Sequence, residues 1–177
     1  MCPFATRRPL TTMAISILGK DQPSRPRVWI DADGCPVPVK EIVFRTAQRR
    51  QIETILVANQ SIWVPASDLI RRMTVPDGAD VADNAIVEQL RPGDVVITSD
   101  IPLASRVVEQ GSIAIGTRGE LYDDKSVHGR LASRNLMEQL RSAGLETAGP
   151  KPFDQKDAQA FANQLDRTLT RLLKHSR

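Results

Sequence analysis

Short runs of apolar residues recur along the chain and alternate with longer stretches of mixed polarity. Four of these runs have the length and the valine and isoleucine content of β-strands, at 28–30, 54–58, 94–100 and 112–116. The first and third runs stop abruptly at acidic residues, in the sequences Asp31-Ala32-Asp33-Gly34 and Thr98-Ser99-Asp100. The pattern therefore predicts buried strands, two of which carry carboxylates at their ends.

The stretches between these runs place apolar residues at helical spacing. Helices are predicted from the Pro36 and Pro38 turn to Arg50, over 81–90, 102–110 and 126–143, and after Asp154, which suits an N-cap. A short amphipathic piece at 68–73 is left without a strand or helix assignment. Strands that alternate with helices predict an α/β fold, a single three-layer domain with a central, mainly parallel sheet and helices on both faces.

The length of 177 residues fits one domain. The periodic pattern occupies residues 27–177, which we expect to form that domain. Residues 1–26 mix Pro, Thr, Arg and Ser without a period, so we expect a flexible N-terminal arm.

Composition and charge narrow the function classes only partly. The net charge is +3 and arginine dominates the cations, which permits a nucleic-acid partner without identifying one. Two Cys and two His residues exclude a disulfide framework and a Cys/His zinc site. The apolar stretch at 13–18 is too short to span a membrane, so we expect a cytoplasmic protein without a membrane partner. A homo-oligomer is compatible with the sequence.

Aspartates gather at the positions where the predicted sheet would bind a ligand. Asp31 and Asp33 end the first strand, Asp100 ends the DVVITSD run, and Asp80 and Asp83 open the helix between them. Open parallel sheets bind ligands beyond the carboxyl ends of their strands, so these acids should share one edge. The structural alternatives are an N-cap role for Asp80, with Asp83 favoured by the helix dipole, and an Asx turn at Asp33. We predict catalytic roles for Asp31, Asp33, Asp83 and Asp100.

No lysine occurs between Glu41 and Asp124, so no lysine in that span can neutralise these carboxylates. A divalent cation bound between them would offset their repulsion. Oxygen-only ligands favour Mg²⁺ or Mn²⁺, and the predicted ligands are Asp31, Asp80, Asp83 and Asp100. Such an ion activates water and stabilises displacement at phosphorus, so phosphodiester hydrolysis is the leading reaction.

Polar residues near the same edge are candidates for substrate binding. They are Lys40 and Arg45 on the first helix, Asn59 and Ser99 at strand ends, and Arg118 after the fourth strand. Solvation of Arg45 on a helix face and a capping role for Ser99 are the structural alternatives. Cys35 is interpreted as a partly buried thiol, since no histidine is placed to activate it.

The chain resembles the YaiI/YqxD family, which is regarded as related to PIN-domain nucleases. The matching segments are WIDADGCPVPVKEIVFRTA, LVANQSIWVP, VPDGADVADNAIVEQLRPGDVVITSDIPLA, RGELYDDKSV and AFANQLDRTLTRLL, within 28–173. The resemblance implies a PIN-like fold whose acids would be Asp31 or Asp33, Asp80 or Asp83, and Asp100, with Asp123 or Asp124 as a fourth. Gly116-Thr117 stands where other members tend to have Asn-Pro, which weakens the assignment of Arg118. The implied activity is a metal-dependent nuclease, with single-stranded RNA favoured over DNA.

Two alternatives stay open. Ile30-Asp31-Ala32-Asp33-Gly34 also looks like the nucleophile and acid pair of haloacid-dehalogenase-type phosphatases, although no lysine lies between Thr98 and Asp124. In the second alternative the protein is a non-catalytic module that binds RNA or protein through the arginines at 49, 50, 71 and 72.

Overall fold

The computed structural model describes residues 25–144 and 151–175. Six strands form one sheet in the order β3-β2-β1-β4-β5-β6, with β5 and β6 antiparallel and every other neighbouring pair parallel. The strands are β1 (Val28–Asp31), β2 (Thr54–Ala58), β3 (Ile70–Thr74), β4 (Val95–Ile97), β5 (Ile113–Ile115) and β6 (Leu121–Tyr122). The helices are α1 (Val37–Arg50), α2 (Val81–Gln89), α3 (Ile101–Glu109), α4 (Asp124–Ser142) and α5 (Gln155–His175).

Alternation along the buried strands divides the core into two halves. Val28 and Ile30 of β1 pack on one face of the sheet with residues of α1 and α5. Trp29, between them, packs on the other face with residues of α2 and α3. Successive side chains of a strand point to opposite faces, so a strand buried on both sides is apolar throughout. The predicted single three-layer α/β domain is confirmed.

Two strands were not predicted. The amphipathic piece at 68–73 contains most of β3, which pairs with β2 along its whole length, from Thr54 opposite Ile70 to Ala58 opposite Thr74. Its only buried residue is Ile70, because β3 lies at the edge of the sheet. The two-residue strand β6 turns back against β5 and closes the other edge.

The predicted apolar stripe of α4 is only partly used. Val127 is its buried residue, whereas Leu136 and Met137 are exposed. The helix begins with a capping box, in which Asp123 accepts from the Ser126 amide and the Ser126 hydroxyl accepts from the Asp123 amide. The predicted cap of α5 is confirmed by a bond from the Asp157 amide to Asp154 at 2.9 Å. The predicted arm at 1–26 lies almost wholly outside the described residues.

Candidate functional site

The strand order reverses between β1 and β4, at the centre of the sheet. The loops that leave these two strands separate there and form a crevice. From β1 the chain proceeds to β2 and β3 on one side, and it later returns to place β4 on the other side of β1. The loops that follow β1 and β4 therefore diverge to opposite faces. Ligands of open α/β sheets bind at such a switch point, beyond the carboxyl ends of the strands.

Asp31 is the last residue of β1 and lies inside this crevice with 9% of its surface exposed. It shares a sheet face with Trp29, and Thr98 shares that face with Val96, because side chains alternate along each strand. The Thr98 hydroxyl donates a hydrogen bond of 2.9 Å to Asp31 Oδ2. Burial raises the pKa of Asp31, the Thr98 bond lowers it, and the charges of Asp33 and Asp100 raise it.

Asp100 joins the same network from the N-terminus of α3. Its amide donates to the Thr98 hydroxyl at 2.9 Å, and its carboxylate caps the helix by accepting from the Leu103 amide at 3.1 Å. Thr98 is thus bound to both acids. Sequence reasoning identified Thr98 only as a strand end, and the available signal was its position two residues after Val96, on the face of Asp31.

Asp83, in the first turn of α2, is the third acid of the cluster. Its pKa is raised to about 6, first by burial and then by the charges of Asp31, Asp100 and Asp80, against a smaller lowering by Arg106. Asp80 stands at the N-cap position with a left-handed backbone (φ 59°), is exposed, and makes no side-chain capping bond. The charges of the other three predicted metal ligands, Asp31, Asp80 and Asp100, thus all act on Asp83.

No cation is paired with this cluster in the described part of the chain. The salt bridges there do not include Asp31, Asp83 or Asp100, and Arg106 instead donates to the Asn84 side chain at 2.8 Å. Within residues 25–144 and 151–175, no three Asp, Glu, His or Cys side chains stand close enough to hold a metal ion by themselves. Mg²⁺ does not need such a cage, since it keeps several waters and often takes only one or two carboxylates. The oxygen donors of this edge fit a hydrated hard cation.

Asp33 and Asn59 connect the loops that follow β1 and β2. The exposed Asp33 accepts a hydrogen bond of 3.2 Å from the Asn59 amide, so the contact uses the backbone of Asn59 and leaves its side chain to other partners. Lys40, in the first turns of α1, donates to the Ala32 carbonyl oxygen at 3.2 Å. Two of the five predicted substrate-binding residues, Lys40 and Asn59, thus lie beside the loop that carries Asp31 and Asp33.

Ser99 lies on the rim of the crevice. Its hydroxyl is 3.0 Å from the Thr117 hydroxyl and 3.4 Å from the Gly34 carbonyl oxygen, so it links the loops after β1, β4 and β5. The helix cap in this segment is Asp100 and not Ser99. Arg45 lies on the exposed face of α1, near the middle of the helix, and forms no hydrogen bond or ion pair in the described chain.

Arg118 is engaged away from the acids. Its guanidinium forms a salt bridge of 2.5 Å with Asp157, in the first turn of α5, and donates to the carbonyl oxygen of Lys151, which precedes that helix. The neighbouring Gly119 approaches the helix so closely that a Cβ would lie 2.7 Å from the Ala160 backbone. The turn between β5 and β6 is therefore docked on α5, and Arg118 has a structural role there.

Cys35 is buried under the loop that follows β1. Burial raises the pKa of its thiol to about 12, against a lowering by Lys40. A thiol with this pKa is protonated at neutral pH and is a poor nucleophile. The interpretation of Cys35 as a buried thiol is confirmed.

The comparisons with known proteins agree on one family. Residues 29–171 match a family model described as uncharacterized and named YaiI/YqxD. A UPF0178 protein of Dechloromonas aromatica is 54% identical over 146 residues, which are 82% of this chain and 97% of that protein. A UPF0178 protein of Shewanella amazonensis is 53% identical over 148 residues, 84% of this chain and 99% of that protein. No solved structure matches the chain. No helix in the described residues is long and apolar enough to cross a membrane. The chain belongs to the YaiI/YqxD family.

Proposed function

We propose that this protein is a Mg²⁺- or Mn²⁺-dependent nuclease that hydrolyses phosphodiester bonds, with single-stranded RNA favoured over DNA. One observation carries the proposal. Asp31, Asp83 and Asp100 lie around the switch point of the sheet, the charges of neighbouring acids raise the pKa of Asp31 and of Asp83, and these three acids form no salt bridge among the described residues. Strongly perturbed carboxyls in a crevice are typical of functional sites.

A divalent cation accounts for this arrangement better than structural roles do. A carboxylate that only stabilises a fold gains by pairing with a cation or with several donors, and its pKa then falls. Here burial and like charges dominate, and the pKa of Asp83 is about 6. One or two of the carboxylates of Asp31, Asp80, Asp83 and Asp100 would bind the ion directly, and water would complete its coordination. A bound ion would make its water more acidic and offset charge at the phosphoryl group.

The surrounding groups have roles that follow from their positions. Thr98 orients Asp31 and Asp100 through its single hydroxyl. The ammonium of Lys40, held at the Ala32 carbonyl, places a positive charge beside the crevice, where a substrate phosphate would enter. Ser99 and Asn59 present a hydroxyl and an amide at the rim. The preference for RNA rests on the resemblance to PIN-like nucleases.

Cleavage of labelled single-stranded RNA and DNA tests the proposal. Wild type should cleave with Mg²⁺ or Mn²⁺ and lose activity with chelator. Asp31→Asn and Asp100→Asn should each reduce the rate by at least about a hundredfold, the order expected for removing one charged group that acts in the transition state. Asp100→Asn keeps a side chain that can cap α3. Asp68→Asn is the matched control, since this exposed aspartate precedes β3 at the opposite edge. Equal cleavage by all four proteins would point to a contaminating nuclease and remove the proposal.

A phosphatase with Asp31 as nucleophile is the first alternative. Its general acid would be Asp33, which is exposed and accepts from the Asn59 amide. That chemistry needs a cation on the transferring phosphoryl group, and the nearby Lys40 donates to a backbone carbonyl. Hydrolysis of a phosphomonoester through a phospho-aspartate at Asp31, trapped with a phosphate analogue, would favour this alternative.

The second alternative, a binding module, is favoured by a basic surface on α5. A groove of about 390 Å³ beside α5 is lined by Asp166, Arg167, Thr170, Arg171 and Lys174. Arg50 is at its border and forms a salt bridge of 2.5 Å with Asp166. If the protein only binds RNA, charge reversal at Arg167 and Lys174 should abolish binding, whereas Asp100→Asn should not affect it.

A further inference from the structure

The two tryptophans of the chain have opposite environments. Trp29 is 1% exposed and donates from Nε1 to Asp94 at 3.1 Å. Trp63, in the loop between β2 and β3, is 76% exposed. Its ring has no aromatic or cationic partner in the described chain. A large apolar ring held in water contributes little to folding, and aromatic side chains of this kind serve binding surfaces.

The backbone around Trp63 is held in place. Ile62 and Val64, its two neighbours, pack against the core beside α1. Arg72 of β3 donates to the Ser61 hydroxyl at 2.9 Å and to the Ile62 carbonyl at 3.0 Å. Because these contacts fix both neighbours, Trp63 points outward from a held backbone, and binding through its ring would not have to order the loop first.

The loop that carries Trp63 starts at the edge where the acids meet. β2 ends at Ala58, and the next residue, Asn59, is bonded to Asp33 of the adjacent loop. Four residues of extended chain span at most about 14 Å, so the Cα of Trp63 lies within that distance of the Asn59 Cα. At about 3.4 Å for each nucleotide step, a few nucleotides cover this distance.

We propose that Trp63 stacks on a base of a single-stranded nucleic acid whose backbone enters the acidic crevice. Every base has a π-face, so a rigid exposed indole binds single strands without reading sequence. The exposed guanidinium of Arg72, which donates to the Ser61 hydroxyl and the Ile62 carbonyl oxygen, adds a positive charge to the loop that carries Trp63. This inference rests on the proposed function, since it assigns the substrate-positioning residue of the same site.

Binding of an eight-nucleotide oligouridylate with a fluorescent label, measured by anisotropy with Mg²⁺, tests the inference. The parent is the wild type, and the oligonucleotide has phosphorothioate linkages, which slow cleavage while binding is read. Trp63→Ala should weaken binding about 5- to 100-fold, the range for loss of one stacked base. Trp63→Phe should stay within about threefold of the parent, because it keeps an aromatic face. Trp63→Leu, which keeps apolar area only, should behave like Trp63→Ala. Leu136→Ala is the control, since Leu136 is 56% exposed on α4.

An abasic oligomer of the same length separates stacking from backbone contacts. It has the sugar-phosphate chain without bases, so the parent and Trp63→Ala should bind it equally. Equal oligouridylate binding by the parent and Trp63→Ala would overturn the inference, as would no measurable binding by the parent. An equal loss on both oligomers would also overturn it, because the loop and not the base contact would then matter. A change only in oligomeric state would assign Trp63 to a contact between copies of the chain.

The outcome is independent of whether the protein cleaves RNA. If wild type cleaves nothing but Trp63→Ala loses oligouridylate binding, stacking stands and hydrolysis fails. If wild type cleaves and Trp63→Ala binds normally, hydrolysis stands and stacking fails.

Discussion

Aspartates at the two ends of the central strands have opposite surroundings. At the amino end, Asp94 is 2% exposed and accepts from the Arg27 guanidinium at 2.6 Å, from Trp29 Nε1 at 3.1 Å and from the Arg91 amide at 3.1 Å. At the carboxyl end, Asp31 is 9% exposed and accepts from the Thr98 hydroxyl, with the acids Asp33 and Asp100 nearby. Both are buried carboxylates, but only Asp94 has a countercharge.

The difference separates a structural acid from a candidate functional one. Burying a charge costs several kcal/mol unless a partner compensates it, and at the amino end Arg27 is that partner. At the carboxyl end the cost is met only in part by hydroxyl and amide donors. Uncompensated like charges with perturbed pKa values are typical of functional sites, which is why the proposal places the cation at this end.

The largest effect on stability should come from removing the buried salt bridge between Arg27 and Asp94. Asp94→Ala leaves the Arg27 guanidinium buried without its partner and removes the acceptor of Trp29 Nε1. We expect a loss of about 3–5 kcal/mol in the free energy of unfolding. At this chain length the midpoint temperature should fall by about 10 °C. Asp31→Ala should cost much less, because it also removes repulsion. A similar loss in both variants, measured by thermal unfolding with chelator, would remove the distinction between the ends.

A divalent cation bound at the carboxyl end of the strands should raise the free energy of unfolding, because it offsets the repulsion among the acids there. Mg²⁺ at a hundred times its Kd should stabilise the wild type by about 2.7 kcal/mol through mass action. Asp31→Asn and Asp100→Asn should lose most of this gain, whereas Asp68→Asn should keep it. The measurement is the unfolding midpoint as Mg²⁺ is titrated, with K⁺ added to match the ionic strength. An equal gain in the site variants would place the ion elsewhere.

The titration of Asp83 should give the uncompensated end a pH signature. Its pKa is raised from 3.8 to about 6 in the folded protein. The folded state thus holds this proton more tightly than the unfolded state. The associated stability is complete below about pH 4 and is lost as pH rises through 6. In the presence of chelator at pH 7.5, the free energy of unfolding of Asp83→Asn should exceed that of wild type by about 1 kcal/mol. This figure allows for solvent screening of a half-buried group. This difference in stability should disappear at pH 4. A difference that does not change with pH would exclude the titration of Asp83 as its cause.

The same contrast shows what could be predicted from the sequence. The strand at 54–58 was predicted with its observed bounds because all five residues are buried and apolar or small. β3 was missed because it is an edge strand, where Arg71 and Arg72 face solvent and hide the strand pattern. The three-layer fold could be predicted because strands and helices alternate.

The sequence was enough to predict where the site lies, but not which residues bond to one another there. The acids were found because each ends an apolar run or opens a helix. The bond between Thr98 and Asp31 joins residues 67 positions apart, and the salt bridge of Arg118 with Asp157 joins residues 39 apart. Such pairs depend on how strands and helices dock, which residue spacing does not encode. Arg118 therefore resembled a phosphate ligand in sequence, although its charge is compensated.

The smallest effect concerns the rim of the acidic cluster. Asp80 has a left-handed backbone (φ 59°), and its charge contributes to the raised pKa of Asp83. Asp80→Gly removes the charge and also the steric strain, because glycine adopts this backbone conformation without steric cost. We expect the free energy of unfolding to rise by about 0.5 kcal/mol in the presence of chelator. Asp80→Asn removes the charge and keeps a side chain that tolerates the same backbone. It therefore isolates the electrostatic part. If Asp80 is a ligand, both variants should also reduce the stabilisation by Mg²⁺. A full Mg²⁺ response in both would restrict the ligands to Asp31, Asp83 and Asp100, the acids that the sheet and the first turns of α2 and α3 hold at the crevice.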